Sequence, residues 1–224
     1  MSDDVRGHRE RLRQRFARDG LNGFHDYEVL ELLLTYAIPR RDVKPLAKRL
    51  LATFGTLADV FDASIQELKS VPGMGEKGAR FLALVRQAQL RYLASGMKGR
   101  SVFSTPELVR AHLRVLLQGR GMECFGAIFV DQQHRHIATE VLFEGTVDRA
   151  VVYPRNVIKR ALELDAKGVI LFHNHPGRTP RASGEDTHLT ARMREACALL
   201  DLNLLDHFLV AGTKVLSFRE EGWW

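Results

Sequence analysis

Two histidines and an aspartate stand at a spacing that suits a shared metal ion. His173 and His175 lie two residues apart at the end of a predicted strand, and Pro176 follows them. Side chains two apart in an extended chain point the same way, so both imidazoles can face one ion while Asn174 points elsewhere. Asp186 lies in the first turn of the next predicted helix. Two imidazoles and one carboxylate leave a fourth position for water, as in catalytic zinc sites.

Each of these features is weak when it stands alone. Paired histidines at strand ends are often surface residues, and Ser-x-x-Asp is more typical of a helix capping box than of a ligand set. The whole string is H-x-H-P, then six residues, Ser183, two residues and Asp186. It is similar to the signature of the JAMM metalloprotease family, also called the MPN-plus or JAB domain. This resemblance implies one Zn²⁺ per chain, bound by His173, His175 and Asp186.

A zinc hydrolase also needs a carboxylate that moves protons, because the metal only acidifies its water. The candidates are Glu123, Glu140 and Glu144. Glu123 opens an otherwise apolar strand, where a charged residue usually has a purpose or a partner. The glutamate of JAMM domains stands in such a setting, followed closely by a small residue, here Gly126. The resemblance therefore implies that Glu123 is the catalytic base, whereas Glu140 and Glu144 are expected on a solvated face or turn.

Two further places near these residues leave alternatives open. As a helix N-cap, Ser183 would bond the backbone amide near Asp186. As the family's serine, it would stabilise the oxyanion of a tetrahedral intermediate, and the sequence does not separate these catalytic and structural roles. Asp206-His207 interrupts an apolar strand. This pair either orients a metal ligand through a hydrogen bond or forms a buried structural ion pair, and we favour the ion pair.

Longer matches indicate one branch of the family. The chain resembles the bacterial RadC family in four segments: Glu144-Gly145-Thr146, Tyr153-Pro154-Arg155, His173-Asn174-His175-Pro176 and Asp206-His207. The chain departs from the usual RadC pattern at Gly177-Arg178, Ala182 and Asn156. The resemblance covers nearly the whole chain. It implies an α/β JAMM/MPN-type zinc hydrolase domain preceded by a small all-α helix-hairpin-helix domain.

The elements that must position these residues can be predicted from periodicity and turn signals. In the second half, strands alternate with helices, which is typical of an α/β domain. A strand at 169–172 is apolar on both faces and is therefore expected to be central. The other strands are predicted at 123–130, 137–143, 147–152, 202–210 and 215–218, and the helices from 104, at 154–166 and at 184–200.

The first hundred residues are predicted to be helical throughout. Helices are expected at 7–17, 27–36, 43–54, 65–69 and 76–93. The small, glycine-rich segment Ala94–Arg100 is interpreted as a linker. The sequence thus predicts a helical domain at 1–96 and a JAMM/MPN-type domain at 101–224.

A turn between two of these helices, Val71-Pro72-Gly73-Met74-Gly75, resembles a helix-hairpin-helix motif. Its glycines let backbone amides approach a phosphate that faces a helix N-terminus. Gly73, Gly75, Lys77 and Arg80 are therefore candidate DNA contacts. The alternative is a plain helix–helix turn that serves packing or protein binding.

Charge and composition bound the class of partner. Residues 1–100 hold 18 Lys+Arg and 12 Asp+Glu, a net +6, whereas residues 101–224 hold 15 of each. A basic half favours a polyanionic partner such as DNA. The alternative is that these charges only form a solvated surface, and the same alternative holds for the arginine-rich first helix. No apolar run reaches membrane-spanning length, and Met1-Ser2-Asp3-Asp4 does not resemble a signal peptide. We therefore expect a cytoplasmic protein without a membrane partner.

These observations together predict an enzyme: a zinc-dependent metallopeptidase or isopeptidase-type hydrolase that acts on an unidentified protein or peptide. The alternative is a DNA- or protein-binding module in DNA metabolism, with the JAMM domain mainly as a scaffold. Metal-dependent phosphodiester cleavage is a third reading, which suits one zinc ion and one base less well than the usual two-ion arrangement.

Overall fold

A computed structural model describes residues 3–145, 153–177 and 179–224. The chain divides into two compact units, Met1–Ala88 and Gln89–Trp224, and each is considered by itself. The strand predicted at 147–152 and the residue Arg178 lie outside the described residues. Within them, no helix is both long enough and apolar enough to cross a membrane.

The first unit is helical, as predicted. Its elements are α1 (Asp3–Asp19), α2 (Asp26–Ala37), α3 (Lys44–Phe54), α4 (Leu57–Asp62), α5 (Ile65–Ser70) and the beginning of α6 (Gly75–Met97). Helix α4 was not predicted from the sequence, because six residues are too few to show a helical period. A reciprocal Thr56–Asp59 capping box nevertheless starts it. Its core is formed by fully buried side chains, among them Leu30, Leu34, Leu46, Leu50, Leu68 and Leu82.

Three arginines of α1, Arg9, Arg13 and Arg15, have partners within the first unit. Arg9 is 8% exposed and donates hydrogen bonds to three backbone carbonyls of residues 38–41, just after α2. Arg15 forms a two-pronged ion pair with Glu28 at 3.1 and 2.7 Å. The Arg13 guanidinium lies 4.9 Å from the centre of the Tyr36 ring. Much of the basic charge of this helix therefore stabilises the unit itself.

The second unit contains a five-stranded mixed sheet. Its strands are β1 (Glu123–Val130), β2 (His136–Gly145), β3 (Gly168–Asn174), β4 (Asn203–Ala211) and β5 (Lys214–Ser217), in the order β2-β1-β3-β4-β5. β1 is antiparallel to β2 and β3, β3 is parallel to β4, and β5 is antiparallel to β4. All seven residues of β3 are buried, which confirms the prediction of a central strand.

Helices cover both faces of this sheet. A short 3-10 turn (Val102–Ser104) leads into α7 (Pro106–Leu117), and α8 (Pro154–Glu163) and α9 (Gly184–Ala198) follow later in the chain. α7 packs with Ile128 and Phe172 on one face. α8 and α9 pack with Phe129 and Leu171 on the other. The result is a three-layer α/β unit, the class that the sequence predicts.

The predicted linker is only partly a loop. Helix α6 continues to Met97, whose side chain is 1% exposed and belongs to the same core as Val102 and Leu113. Burial of a methionine side chain contributes roughly 1.5–3 kcal/mol. This contact outweighs the low helix propensity of the Ser95-Gly96 pair, so the chain leaves the helix only after Met97.

Candidate functional site

Three side chains converge where the end of β3 meets the N-terminus of α9. His173 Nε2 lies 3.2 Å from His175 Nε2 and 3.3 Å from Asp186 Oδ1. His175 Nε2 lies 3.3 Å from Asp186 Oδ2. One donor atom from each residue lies within 4.8 Å of the other two. The structure thus brings the three sequence-predicted ligands together, and two imidazole nitrogens with one carboxylate fit the chemistry of a catalytic zinc site.

The alternation of the chain explains how the two histidines come to share one side. His173 lies within β3, and His175 follows directly after its last residue. The His175 N–H donates to the Val210 carbonyl at 3.0 Å, which extends the ladder with β4 beyond the assigned strand. His175 therefore keeps the extended geometry in which its imidazole points to the same side as that of His173.

A capping box fixes the third ligand. Ser183 Oγ accepts a hydrogen bond from the Asp186 backbone N–H at 3.1 Å. Asp186 Oδ2 in turn accepts from the Ser183 backbone N–H and hydroxyl, both at 2.7 Å. Burial raises the pKa of Asp186, but the adjacent imidazoles of His173 and His175 outweigh it and hold that pKa well below its usual range. Asp186 is therefore an ionised carboxylate with a fixed direction.

Glu123 enters this site from the neighbouring strand. The β1–β3 register pairs Phe125 with His173, and its extension by two residues sets Glu123 opposite His175. Paired residues share one face of a sheet. The pKa of His175 is raised first by its hydrogen bond to Asp186 and, more weakly, by the charge of Glu123. Glu123 and the three candidate ligands line one cleft of about 930 Å³.

Asn174 points away from the candidate ligands, as predicted, and holds the start of β1. Its Oδ1 accepts from the Cys124 backbone N–H at 2.7 Å, and its Nδ2 donates to the Met122 carbonyl at 3.2 Å. These two hydrogen bonds fix the backbone on both sides of Glu123. The asparagine between the histidines is thus a positioning residue for the candidate base, a role that the sequence analysis did not assign.

The other two candidate carboxylates are engaged elsewhere. Glu140 accepts two hydrogen bonds from Arg160, both at 2.7 Å, and these bonds lower its pKa. Glu144 is ion-paired with Arg120. It also pairs in register with Cys124, so it lies on the sheet face opposite His173. Both expectations of a surface role agree with these contacts.

The interpretation of Asp206-His207 as an ion pair is wrong. His207 is fully buried, and its Nε2 lies 2.9 Å from His173 Nδ1 while its Nδ1 lies 2.7 Å from Thr190 Oγ1. Asp206 instead accepts from the Ser217 hydroxyl at 2.6 Å and from the His207 backbone N–H at 2.7 Å. Burial lowers the pKa of His207 well below its ordinary value, so the ring is neutral. Two adjacent ionisable residues inside an apolar strand were the sequence signal that these positions have specific partners.

The cleft has walls of different character. Apolar side chains reach it from β1, β2 and α9, namely Phe125, Phe143 and Leu189, together with Met122 just before β1. Met122 is 50% exposed. His188 and Arg192 line it from α9. The site therefore offers both an apolar contact surface and a cation near the candidate ligands.

The candidate DNA contacts lie in the first unit, around the turn between α5 and α6. Gly73 has φ +95° and Gly75 φ +65°, conformations that glycine adopts without steric cost. The Arg41 guanidinium donates to the Gly73 carbonyl at 2.9 Å. Lys77 is exposed, whereas Arg80 is paired with Glu76 at 2.7 Å. The turn is thus open to solvent with Arg41 and Lys77 beside it, while Glu76 pairs with both Lys69 and Arg80. Arg41 was not predicted from the sequence.

Comparison with known proteins agrees with this architecture. A family profile described as RadC-like JAB domain matches residues 103–223, and one described as UPF0758 N-terminal matches residues 7–80. A UPF0758 protein of Ruegeria pomeroyi is 41% identical over the full length of both chains. A UPF0758 protein of Rhodobacter capsulatus is 42% identical over 94% of this chain and 99% of its own. One from Stutzerimonas stutzeri is 38% identical over 96% of each. The chain therefore belongs to the RadC (UPF0758) family, and its second unit is a RadC-like JAB domain.

Proposed function

We propose that this protein is a zinc-dependent hydrolase of peptide or isopeptide bonds. The observation that carries the proposal is the convergence of His173, His175 and Asp186 in one cleft with Glu123. Three protein ligands are typical of catalytic zinc, whereas structural zinc is usually closed by four. A bound zinc ion would supply a Lewis acid and an acidified water molecule.

The residues around this centre have separable tasks. The Glu123 carboxylate would take a proton from the attacking water and return it to the leaving amine. Asn174 would keep Glu123 in reach, since it holds the backbone on both sides of that residue. Ser183 orients Asp186, and its hydroxyl donates a hydrogen bond to Asp186 Oδ2 at 2.7 Å. A catalytic role for Ser183 in oxyanion stabilisation requires that proton to turn toward the substrate.

The form of the cleft supports a polypeptide substrate. Its volume of about 930 Å³ is at the upper end of the range for small-ligand pockets. The apolar side chains of Phe143 and Leu189 flank it, so an extended segment with an apolar residue beside the scissile bond would bury surface there.

The metal part of the proposal is tested by metal analysis. The purified protein is expected to hold one zinc ion per chain, and a His173→Ala, His175→Ala double variant is expected to lose it. His188→Ala is the matched control, because His188 lines the same cleft without belonging to the converging set. Undiminished zinc in the double variant would contradict the assignment.

The hydrolytic part is tested at Glu123. With a library of internally quenched peptides, Glu123→Gln is expected to keep zinc and fold and to lose activity on the order of a hundredfold or more, the size of a general-base contribution. Glu140→Gln is the matched control on the next strand. Loss of activity in the control instead would show that the base is misassigned. The inactive Glu123→Gln protein also serves to capture the natural substrate.

We propose DNA binding by the first unit as a second function. The supporting observation is the solvent-open turn at Gly73 and Gly75, with the Arg41 guanidinium bonded to it and Lys77 exposed beside it. Amides of a helix N-terminus and nearby cations suit a phosphate.

Fluorescence anisotropy with duplex and single-stranded DNA tests this second function. Affinity is expected to fall steeply with salt. An Arg41→Ala, Lys77→Ala variant is expected to bind more weakly and with a shallower salt dependence, whereas Lys214→Ala, an exposed lysine of the neutral half, is expected to bind as the parent does. No affinity at low salt would leave this turn with a packing or protein-binding role. A purified protein that binds DNA but holds no zinc and cleaves no peptide of the library would favour the alternative in which the JAB domain is a scaffold.

A further inference from the structure

A buried chain of hydrogen bonds lies behind the candidate metal ligands. The Thr190 hydroxyl donates to the Asp186 backbone carbonyl at 2.7 Å. The same oxygen lies 2.7 Å from His207 Nδ1, and His207 Nε2 lies 2.9 Å from His173 Nδ1. Thr190 is 2% exposed and His207 0%. The chain therefore connects the helix of one ligand, Asp186, with the imidazole of another, His173, without contact to water.

The positions of the protons in this chain follow from the atoms it contains. A carbonyl oxygen cannot donate, so the single proton of the Thr190 hydroxyl lies on the bond to Asp186. Thr190 Oγ1 must then accept from His207, which places a proton on His207 Nδ1. A neutral imidazole carries only one ring proton. His207 Nε2 is consequently an acceptor, and His173 Nδ1 must donate to it.

The surroundings of His207 keep it in this neutral form. Its ring stacks on Phe218, with the ring centres 4.2 Å apart, and the edge of Phe125 lies nearby. The adjacent carboxylate of Asp206 is directed to Ser217 and not to the His207 ring. A buried imidazolium without a paired anion would be costly.

We infer that His207 and Thr190 are positioning residues that set the tautomer of His173, leaving its Nε2 lone pair free for the metal. This inference rests on the proposed zinc centre. Ligating histidines usually donate their second N–H to a carboxylate, a backbone carbonyl or water. Here a neutral histidine takes that place, and its own orientation depends on one hydroxyl group of α9.

In this arrangement the Thr190 hydroxyl determines which ring nitrogen of His207, and hence of His173, carries the proton. Without its hydroxyl, His207 is free to carry its proton on Nε2 instead. That N–H would donate to His173 Nδ1, and the proton of His173 would then occupy Nε2, the atom that faces His175 and Asp186. The metal would have to displace this proton before it could bind.

The tautomers are measured directly by ¹⁵N–¹H correlation spectra of histidine side chains in the zinc-free, full-length protein, with His173→Gln and His207→Gln for assignment. Protons on His207 Nδ1 and His173 Nδ1 are expected. A proton on His207 Nε2 would overturn the inference. This readout needs neither bound zinc nor activity, so it decides the tautomers even if the protein is found to bind no metal, a result that would refute the proposed function.

Zinc affinity, measured by competition with a chromophoric chelator, tests the consequence. Thr190→Val is expected to weaken binding about 10- to 100-fold, the range for partners that orient metal ligands, and Thr190→Ser to restore it because the hydroxyl returns. Thr187→Val is the matched control, since Thr187 makes a similar bond to the Gly184 carbonyl on the same helix without reaching His207. Equal affinity of Thr190→Val and the parent, or equal loss in both valine variants, would overturn the inference.

Discussion

A buried histidine of α7, His112, predicts how the stability of the second unit changes in acid. His112 is 5% exposed, and its Nδ1 has no hydrogen-bond partner among the described residues. Burial, with a smaller contribution from the charge of His136, lowers the pKa of His112 to about 4. In the unfolded chain the pKa of histidine is about 6.5. The unfolded state therefore takes up a proton at this residue while the folded state does not.

The sign and size of the effect follow from this difference. Above about pH 7 His112 is neutral in both states and costs nothing. As the pH falls from about 6.5 towards about 4, protonation of the unfolded chain lowers the free energy of unfolding. Each unit of pKa difference corresponds to about 1.4 kcal/mol. The loss is thus about 2.5 kcal/mol by about pH 4.5, and roughly 3 kcal/mol in total.

Tryptophan fluorescence isolates the unit in question, because Trp223 and Trp224 are the two tryptophans of the chain and both lie in the second unit. Urea unfolding of the parent and of His112→Leu is compared at about pH 7.5 and about pH 4.5 in the presence of a chelator. The variant, which has no ring to protonate, is expected to lose about 2.5 kcal/mol less than the parent over this range. A parallel loss in both proteins would refute the argument.

Three further outcomes are expected. Zinc removal by a chelator is expected to lower the free energy of unfolding by about 4 kcal/mol if free zinc had been a thousandfold above its Kd, and hence the urea midpoint reported by tryptophan fluorescence; an unchanged midpoint would contradict a metal site in this unit. We propose that the two functions separate along the chain, so a fragment 89–224 is expected to fold and bind zinc, whereas a fragment 100–224, which lacks the buried Met97, is expected to be about 2–5 kcal/mol less stable; equal urea stability would contradict the role of that contact. Gly126→Ala is expected to destabilise the unit by about 1–3 kcal/mol or more, because the added Cβ would lie 2.3 Å from the Glu140 carbonyl and 2.4 Å from the Phe172 ring; unchanged stability of this variant would show that the sheet yields there.

The parts of the site that depend on local chain geometry were predictable. The spacing of His173 and His175 on an extended segment sets both imidazoles on one side, whatever the rest of the fold does. The distance from Ser183 to Asp186 fits one helical turn and its cap. The continuous apolar run of β3 likewise predicts a strand covered on both faces.

The parts that depend on packing between distant segments were not predictable. His207 reaches His173 only because β4 lies beside β3, and periodicity carries no information about strand order. Met97 stays helical because of the core it enters, against the local signal of the glycines. The arginines of α1 form a basic run in the sequence, but Arg9 and Arg15 find their acceptors on α2 or just after it.

The segment between His175 and Ser183 has a consequence for how this protein can change over evolutionary time. The His175 backbone is held by the β3–β4 ladder and Asp186 by the capping box, whereas the Nδ1 of the His175 ring lies 3.2 Å from the Thr179 carbonyl within the segment. Side-chain substitutions at Gly177 or Thr179, which both line the cleft, therefore alter its wall while the Thr179 backbone carbonyl can still hold the His175 ring. Under the proposed function, a loop transplanted from one relative to another is expected to alter substrate selectivity, provided that the carbonyl at position 179 keeps its contact with His175.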